Sequence, residues 1–473
     1  MPPRLSPLDG SFLRAETRNA HMHVAWVGLF DLPAERDAIG LAELRAAIGE
    51  RLPRVPRFRQ RLAFPPPGFG EPFWVDDPDF DVRQHVTALT EPGEAVTLAS
   101  FGTLTDALLS EPLDRRRPLW HIYLVPLLED GRAGLVGKLH HAMVDGVSVV
   151  ELGLLLFDGA GPPGEEPGWS PQGAPGQAQL AVEAVAASAG WSLRAARAAA
   201  ALAARPRRGA VRVAESLTRA LTAVREDLLR PASPSSGLNP SIGPERTLVR
   251  HSQPLEPLQA VRRAAGVTLN DACLAVVCGA LRAMAERDGR EPLPLKAMIP
   301  VNLREEDELE SAGNRISFVF VELPLEVADP RERLDRVHRE TVAFKRAGRP
   351  AGAETVMRAL GLLPGPLKDR AARLAGSARV FNVALSNIPG PSERVSMRGA
   401  PMVEAYPVVP LSEDHALSVG MFSYSGRLFY GLYADPKALP EVAELPGALD
   451  ASLLSLGYAF REPGSARPEP ALL

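Results

Sequence analysis

The stretch Lys138-Leu139-His140-His141-Ala142-Met143-Val144-Asp145-Gly146-Val147-Ser148 decides how the rest of the chain is read. Two adjacent histidines are followed by an aspartate, four residues after the second, and then by a glycine. The run Gly134-Leu135-Val136-Gly137-Lys138-Leu139 before it has the character of a short apolar strand. Val149 to Leu156 after it reads as the start of a buried helix. The histidines therefore fall at a strand end, on a turn, where a side chain can face a cleft. Imidazole, with an unperturbed pKa of about 6.5, suits proton transfer near neutral pH. Gly146 is free to take a positive φ, and Asp145 can lock the turn by bonding backbone or a cation. Two other readings compete. One is a turn that holds a satisfied core histidine. The other is a metal site, which needs three or four ligands, and neither cysteine of the chain lies nearby in sequence. No metal is expected.

Outward from this motif, the chain of 473 residues is too long for one compact core and fits two or three domains. Apolar residues make up 45% and charged residues 23%, a globular profile. A formal net charge of −4 gives no reason to expect nucleic acid as a partner. Cys273 and Cys278, five residues apart on an expected helix, point in different directions and read as buried free thiols in a reducing compartment. The opening Met1-Pro2-Pro3-Arg4-Leu5-Ser6-Pro7-Leu8-Asp9 has no signal-peptide core. No apolar run reaches the roughly 20 residues that cross a bilayer. A cytoplasmic protein with peripheral membrane contact is the expectation.

In the first half, Met22 to Phe30 reads as a strand, and Leu41, Leu44, Ala47 and Ile48 mark the apolar face of a helix. His21 and His23 read as strand-edge residues with no special task. Arg51, Arg54, Arg57, Arg59 and Arg61 form a basic run, read as a solvated face or as a phosphate or anionic-lipid site. Pro112-Leu113-Asp114-Arg115-Arg116-Arg117-Pro118-Leu119-Trp120 leads into the strand His121 to Val125, with Trp120 as a core residue. Any of the three arginines is a candidate partner for Asp145 or for a phosphate.

Residues 158–178 are rich in proline and glycine and read as a flexible linker. Ala178 to Arg230 then carries nine arginines against four acids, a local balance of +5, with Pro206 and Gly209 dividing it into two helices. This cationic hairpin reads as an inter-domain connector or as a helix pair lying on an anionic lipid surface. The second half restarts with similar elements. Thr268, Asn270 and Asp271 are all able to cap the apolar helix Ala272 to Met284. Leu385-Ser386-Asn387-Ile388-Pro389-Gly390-Pro391 must end a strand at the Pro-Gly pair, so that Ser386 and Asn387 face whatever lies beyond it. Leu417 to Tyr424 and Leu428 to Tyr433, with Gly426 at the turn, form a hairpin.

The His-His-x-x-x-Asp-Gly stretch resembles the signature of the CoA-dependent acyltransferase superfamily, which includes chloramphenicol acetyltransferase, carnitine acyltransferases and peptide-synthetase condensation domains. The Leu5-to-Leu13 opening, the Pro-Leu-Asp…Pro-Leu-Trp segment, the Asn270-Asp271 pair, Ile299-Pro300-Val301-Asn302-Leu303-Arg304 and the Leu385-to-Pro391 stretch are similar to the bacterial wax ester synthase/diacylglycerol acyltransferase family, in the right order from about Leu5 to Phe460. The tryptophan-bearing Asp-Phe-Gly motif of the plant branch is absent.

The resemblance implies two chloramphenicol-acetyltransferase-like α/β lobes, with an active-site tunnel between them. The lobes are expected at residues 1–157 and 246–462, joined by a helical linker at 158–245, with 463–473 a disordered tail. It implies an O-acyltransferase that moves a long-chain acyl group from acyl-CoA, a substrate rather than a cofactor, to a fatty alcohol or a diacylglycerol. His141 is then the general base, His140 and Gly146 support it, and Asp145 holds the loop through an arginine. Asn270 becomes a donor to the tetrahedral oxyanion, or a support for that donor. Asn302 and Arg304 bind CoA or stabilise a bend, and Ser386 and Asn387 flank the acyl channel. Direct attack is expected, since no Gly-x-Ser-x-Gly nucleophile turn occurs. Two readings stand beside this one: a condensation-type domain that uses carrier-protein thioesters, and a weakly catalytic protein that coats lipid. Membrane or lipid-droplet surface is an expected partner. Acyl length, acceptor and oligomeric state are not set by the sequence.

Overall fold

The computed structural model describes residues 2–67, 70–143, 153, 155–159, 169–186, 232–233, 237–302, 316–346, 369–370, 373–391 and 393–460. The first half contributes α1 (Pro7–Ala15), β1 (His23–Asp31), α2 (Leu41–Arg51), β2 (Gln60–Ala63), β3 (Phe73–Asp76), β4 (Val86–Ala88), α3 (Leu98–Leu109), β5 (Trp120–Val125) and β6 (Arg132–His140). A short helix, α4, spans 177–186. The second half adds β7 (Thr247–Pro254), α5 (Leu255–Ala265), α6 (Leu269–Arg287), β8 (Leu295–Asn302), β9 (Ile316–Leu323) and α7 (Pro330–Arg346). It ends with β10 (Val383–Pro389), β11 (Ser396–Met397), β12 (Ala400–Val408), β13 (Leu417–Tyr424), β14 (Arg427–Ala434) and α8 (Leu445–Ala459).

Local chemistry sets the ends of these elements. Proline opens α1, and the Ser6 hydroxyl accepts a hydrogen bond from the Asp9 amide at 3.1 Å, satisfying one of the orphan donors of the first turn. Thr268 caps α6 in a reciprocal box with Asp271. The β13–β14 hairpin turns on Ser425 and Gly426, both at positive φ, the geometry that matches the twist of the paired strands.

Two six-stranded sheets result, in the orders β11-β12-β1-β6-β5-β4 and β7-β14-β13-β10-β8-β9. In the second, β10 runs parallel to both β8 and β13. The α/β two-lobe expectation is met. However, β12 belongs by sequence to the second half and pairs antiparallel with β1 of the first sheet, Ala25 opposite Val408 and Val27 opposite Tyr406. The contiguous span 246–462 therefore supplies strands to both sheets. The crossing is possible because Gly420 and Gly431, paired across the β13–β14 hairpin, lie against the Pro407 carbonyl of β12. A Cβ on Gly420 would stand 2.7 Å from that oxygen. Lacking side chains, the two glycines let one backbone pass close over another.

A continuous apolar core runs through both lobes, from Leu5 to Leu456. Trp120 is buried in it, and its indole N–H donates to the Phe58 carbonyl at 2.7 Å. Cys273 and Cys278 are free and buried on α6, and burial pushes both thiols up to about 12. The expected two-helix division of the Ala/Arg-rich segment lies outside the described residues. Its first turns, in α4, place Leu180 and Ala184 in a small core with Phe73 and Val75 of the β2–β3 hairpin. Among the described residues no single helix is long and apolar enough to cross a membrane.

Candidate active site

Strand β6 ends at His140, and the turn that follows begins at His141. The His141 amide donates to the Met22 carbonyl at 2.7 Å, and the Met143 amide to the His140 carbonyl at 2.9 Å, so the strand end is stitched to β1 and the turn closes on itself. The pleat sends the two neighbouring rings to opposite sides. His140 is completely buried, whereas His141 is partly accessible.

The His141 ring is covered on one face by Phe12 of α1, with centroids 3.7 Å apart and planes at 17°. Phe12 in turn meets Phe318 of β9 edge-on at 6.1 Å. His141 therefore stands at the seam between the sheets. Burial lowers its pKa to about 4, with His140 beside it pushing the same way and its own carbonyl opposing, so the imidazole is neutral around pH 7. Its Nδ1 is buried with no partner of hydrogen-bond geometry, and Nε2 is the ring nitrogen left accessible.

His140 is held differently. Its Nδ1 accepts from the Ala142 amide at 3.0 Å, which fixes the neutral ring with its proton on Nε2. That Nε2 faces Glu16 Oε2 at 3.5 Å, long for a hydrogen bond and mainly an electrostatic contact. Arg115 grips the same Glu16 oxygen through two nitrogens, one of them at 2.6 Å, and also donates to the Leu13 carbonyl at 2.8 Å. Burial alone would raise the Glu16 carboxyl, but His140 and Arg115 outweigh it, and the group is held ionised below the usual carboxylate range.

Behind the motif, His23 stands opposite His140 in the β1–β6 register and is buried, with Tyr433 of the second sheet 3.4 Å from its Nε2. This corrects the strand-edge reading, because β1 is interior to its sheet. Burial, with the Lys138 and Arg246 cations nearby, holds the His23 pKa well below its ordinary value. Lys138 is buried too, its ammonium donating to the Leu108 carbonyl at 2.7 Å and to that of Glu111.

On the other lobe, Asn387 of β10 donates through Nδ2 to Asn270 Oδ1 at 3.1 Å. That bond leaves the Asn270 amide nitrogen as a donor at the N-terminus of the long helix α6. Ser386 is buried on the same strand. Asp271, by contrast, serves structure: it completes the Thr268 cap and accepts from Thr341 Oγ1 at 2.7 Å, and His338 Nδ1 lies 2.9 Å from it.

Other expected residues distribute as follows. Asn302 ends β8. Asp145, Gly146 and Arg304 lie outside the described residues. Arg115 binds Glu16, Arg116 binds Asp114, and Arg117 donates to Gln84. The basic run is not a solvated face throughout. Arg59 is buried with its guanidinium over Trp169, Arg57 lies over Trp74, and Arg51 donates to the Leu155 carbonyl at 3.0 Å. These side chains brace the lobe, because an arginine stem packs along apolar surface while its head finds rings and carbonyls. Phe12 and Glu16 are the functional neighbours that the sequence reading left unassigned. Their spacing of four residues, one on α1 and the other at its C-cap, was the available signal, since it puts both over one side of that helix.

The chain matches the wax ester synthase/diacylglycerol acyltransferase catalytic domain over residues 5–273 and the C-terminal domain of the same family over 312–457. A Mycobacterium tuberculosis protein named probable diacylglycerol O-acyltransferase tgs2 is 30% identical over 467 residues, which cover 96% of this chain and 99% of that one. A second from that organism, tgs1, is 30% identical over 471 residues, covering 96% and 95%. The solved wax ester synthase/diacylglycerol acyltransferase of Marinobacter aquaeolei superposes with a TM-score of 0.66 at 26% identity, covering 97% of this chain and 99% of that chain. The first condensation domain of the calcium-dependent antibiotic synthetase shares the fold, with a TM-score of 0.62 at 15% identity and coverage of 100% and 99%. With the motif order, the two-sheet fold and the histidine-bearing strand end all in agreement, the chain belongs to the wax ester synthase/diacylglycerol acyltransferase family and is an acyltransferase.

Proposed function

We propose that the protein transfers a long-chain acyl group from acyl-CoA to the hydroxyl of a fatty alcohol or a diacylglycerol, with His141 as general base. The observation that carries the reading is the state of that ring: neutral, clamped by Phe12 at the seam of the lobes, with Nε2 unsealed. The acceptor hydroxyl gives its proton to Nε2 as its oxygen attacks the thioester carbon. A tetrahedral oxyanion forms, and the Asn270 amide, oriented by Asn387 at the positive end of α6, is suited to stabilise it. The carbon–sulfur bond then breaks, and the CoA thiolate takes back the proton from the imidazolium. General-base assistance of this kind contributes about 10²–10⁴ in rate. Asp145 and Gly146 would shape the loop beyond His141, with Asn302, Arg304 and Ser386 lining the paths by which the substrates enter between the lobes.

The proposed acceptors and products are lipids, so we also place the protein peripherally on the inner face of the membrane or on lipid droplets. Supporting this, Phe64, Val182 and Val185 are exposed where α4 packs on the β2–β3 hairpin, at the start of the +5 segment. Sedimentation with anionic vesicles, absent with neutral ones, is the expected result.

The test of function is thiol release from palmitoyl-CoA with hexadecanol or dipalmitoylglycerol, the neutral lipids being resolved afterwards. His141→Ala is expected to abolish ester formation in a folded protein. Retention of most of the turnover would remove His141 as the base. Asp145→Ala should lower both stability and activity.

A further inference from the structure

We infer that Glu16, clamped by Arg115, is a positioning residue for acyl transfer: it holds His140 in the Nε2–H form, and His140 in that form fixes the turn that aims His141. This rests on the assignment of His141 as base.

The Ala142 amide is a donor, so the His140 Nδ1 that receives it at 3.0 Å must be bare. The proton is then on Nε2, which is sealed from solvent and has no partner of full hydrogen-bond geometry. The carboxylate of Glu16, 3.5 Å away, supplies the negative potential that favours the proton there. Arg115 keeps that carboxylate in place and charged, and it binds the end of α1 as well through the Leu13 carbonyl. Were Glu16 absent, a proton on Nδ1 would confront the Ala142 amide donor to donor. The Ala142–Met143 turn would loosen, and with it the backbone that sets the direction of the neighbouring His141 ring. The long resting distance agrees with this role, since hydrogen bonds of a catalytic site often tighten only when substrate is bound. Glu16 also lies one helical turn beyond Phe12, and its amide donates to the Phe12 carbonyl at 3.0 Å. One short helix thus governs both histidines, one by stacking and the other by charge.

The test combines kinetics with nitrogen-15 spectra of histidine-labelled protein, the His140 signals being assigned by their loss in His140→Asn. In the wild type, His140 is expected to show a pyridine-like Nδ1 and a pyrrole-like Nε2. A pyrrole-like Nδ1 would overturn the inference, whether or not any variant folds. Glu16→Ala is expected to lower kcat about 10- to 100-fold, the cost of a small misplacement of a catalytic group, with KM for palmitoyl-CoA nearly unchanged and His140 present in both tautomers. Glu16→Gln keeps an acceptor oxygen and is expected to restore the Nε2–H form and most of kcat. Wild-type turnover in a folded Glu16→Ala protein, or a folded Glu16→Gln protein that is inactive with the wild-type tautomer, would sink the idea. His141→Ala, assayed in parallel, separates the two levels. If it stays active, the base assignment fails. If it is inactive while Glu16→Ala is unimpaired, only the role of Glu16 fails.

Discussion

The phenyl ring of Phe12 lies nearly parallel over the imidazole of His141, with centroids 3.7 Å apart, and meets Phe318 of the second sheet edge-on. An apolar lid on one face of the proposed base does two things. It restricts the ring's rotation, and it strips water from a group that would otherwise charge readily. Phe12→Ala is expected to lower kcat by roughly 10-fold or more through lost alignment. It should also move the acid limb of the pH profile upward, towards about 6.5, as the ring is rehydrated. Initial rates between pH 4 and 8 would check both. An unmoved limb would show that Phe12 does not control the solvation of His141.

For the unaltered protein, the direction is the reverse. His141 takes a proton in the folded state only near pH 4, so the proposed base stays neutral well below the ordinary histidine value. The fall of kcat/KM on acidification should therefore be centred near 4. Stability behaves differently. The unfolded chain binds protons on its histidines near 6.5, while His23, His121 and His141 in the fold resist them. Fewer protons on the native state means stability declines as pH drops through the window from about 6.5 to about 3. Denaturant midpoints measured across that window should decrease, and a flat series would contradict the burial of these rings.

Asn387 and Asn270 should behave as a unit. Asn387→Asp cannot donate to the Asn270 carbonyl oxygen, and it would set two acceptors against each other or turn the Asn270 amide away from the position proposed for the oxyanion. Expected losses in kcat are about 10²- to 10³-fold for Asn270→Ala, the range found when an oxyanion donor is removed. Asn387→Ala should lose less. The double variant should lose hardly more than Asn270→Ala alone, because the first change acts through the second. Additive losses would separate the two residues.

The notch at Gly431 tests the exchange of a strand between lobes. A Cβ there would collide with the Pro407 carbonyl, which is backbone and has no side-chain freedom to give way. Gly431→Ala is expected to destabilise the protein by about 3 kcal/mol, at the upper end of overpacking costs. Thermal unfolding should show it, together with earlier exposure of β12 to proteolysis. Gly426→Ala, with open space around its Cβ, should suffer only from its positive φ.

Much of this molecule is written locally. The end of β6 at the paired histidines, the threonine-capped helix after Val267, the Ser425-Gly426 hairpin and the termination at Pro389 all follow from strand period, capping and turn chemistry within a few residues of one another. The sequence by itself also determined the order of motifs that places the chain in its family. What it did not carry is which distant elements meet. That β12 leaves its own half to pair with β1 depends on two glycines that make room for Pro407. Phe12 on His141, Glu16 on His140 and Asn387 on Asn270 are contacts across 129, 124 and 117 positions of chain. No periodicity marks such partners, because burial and charge select them only once the two sheets have packed.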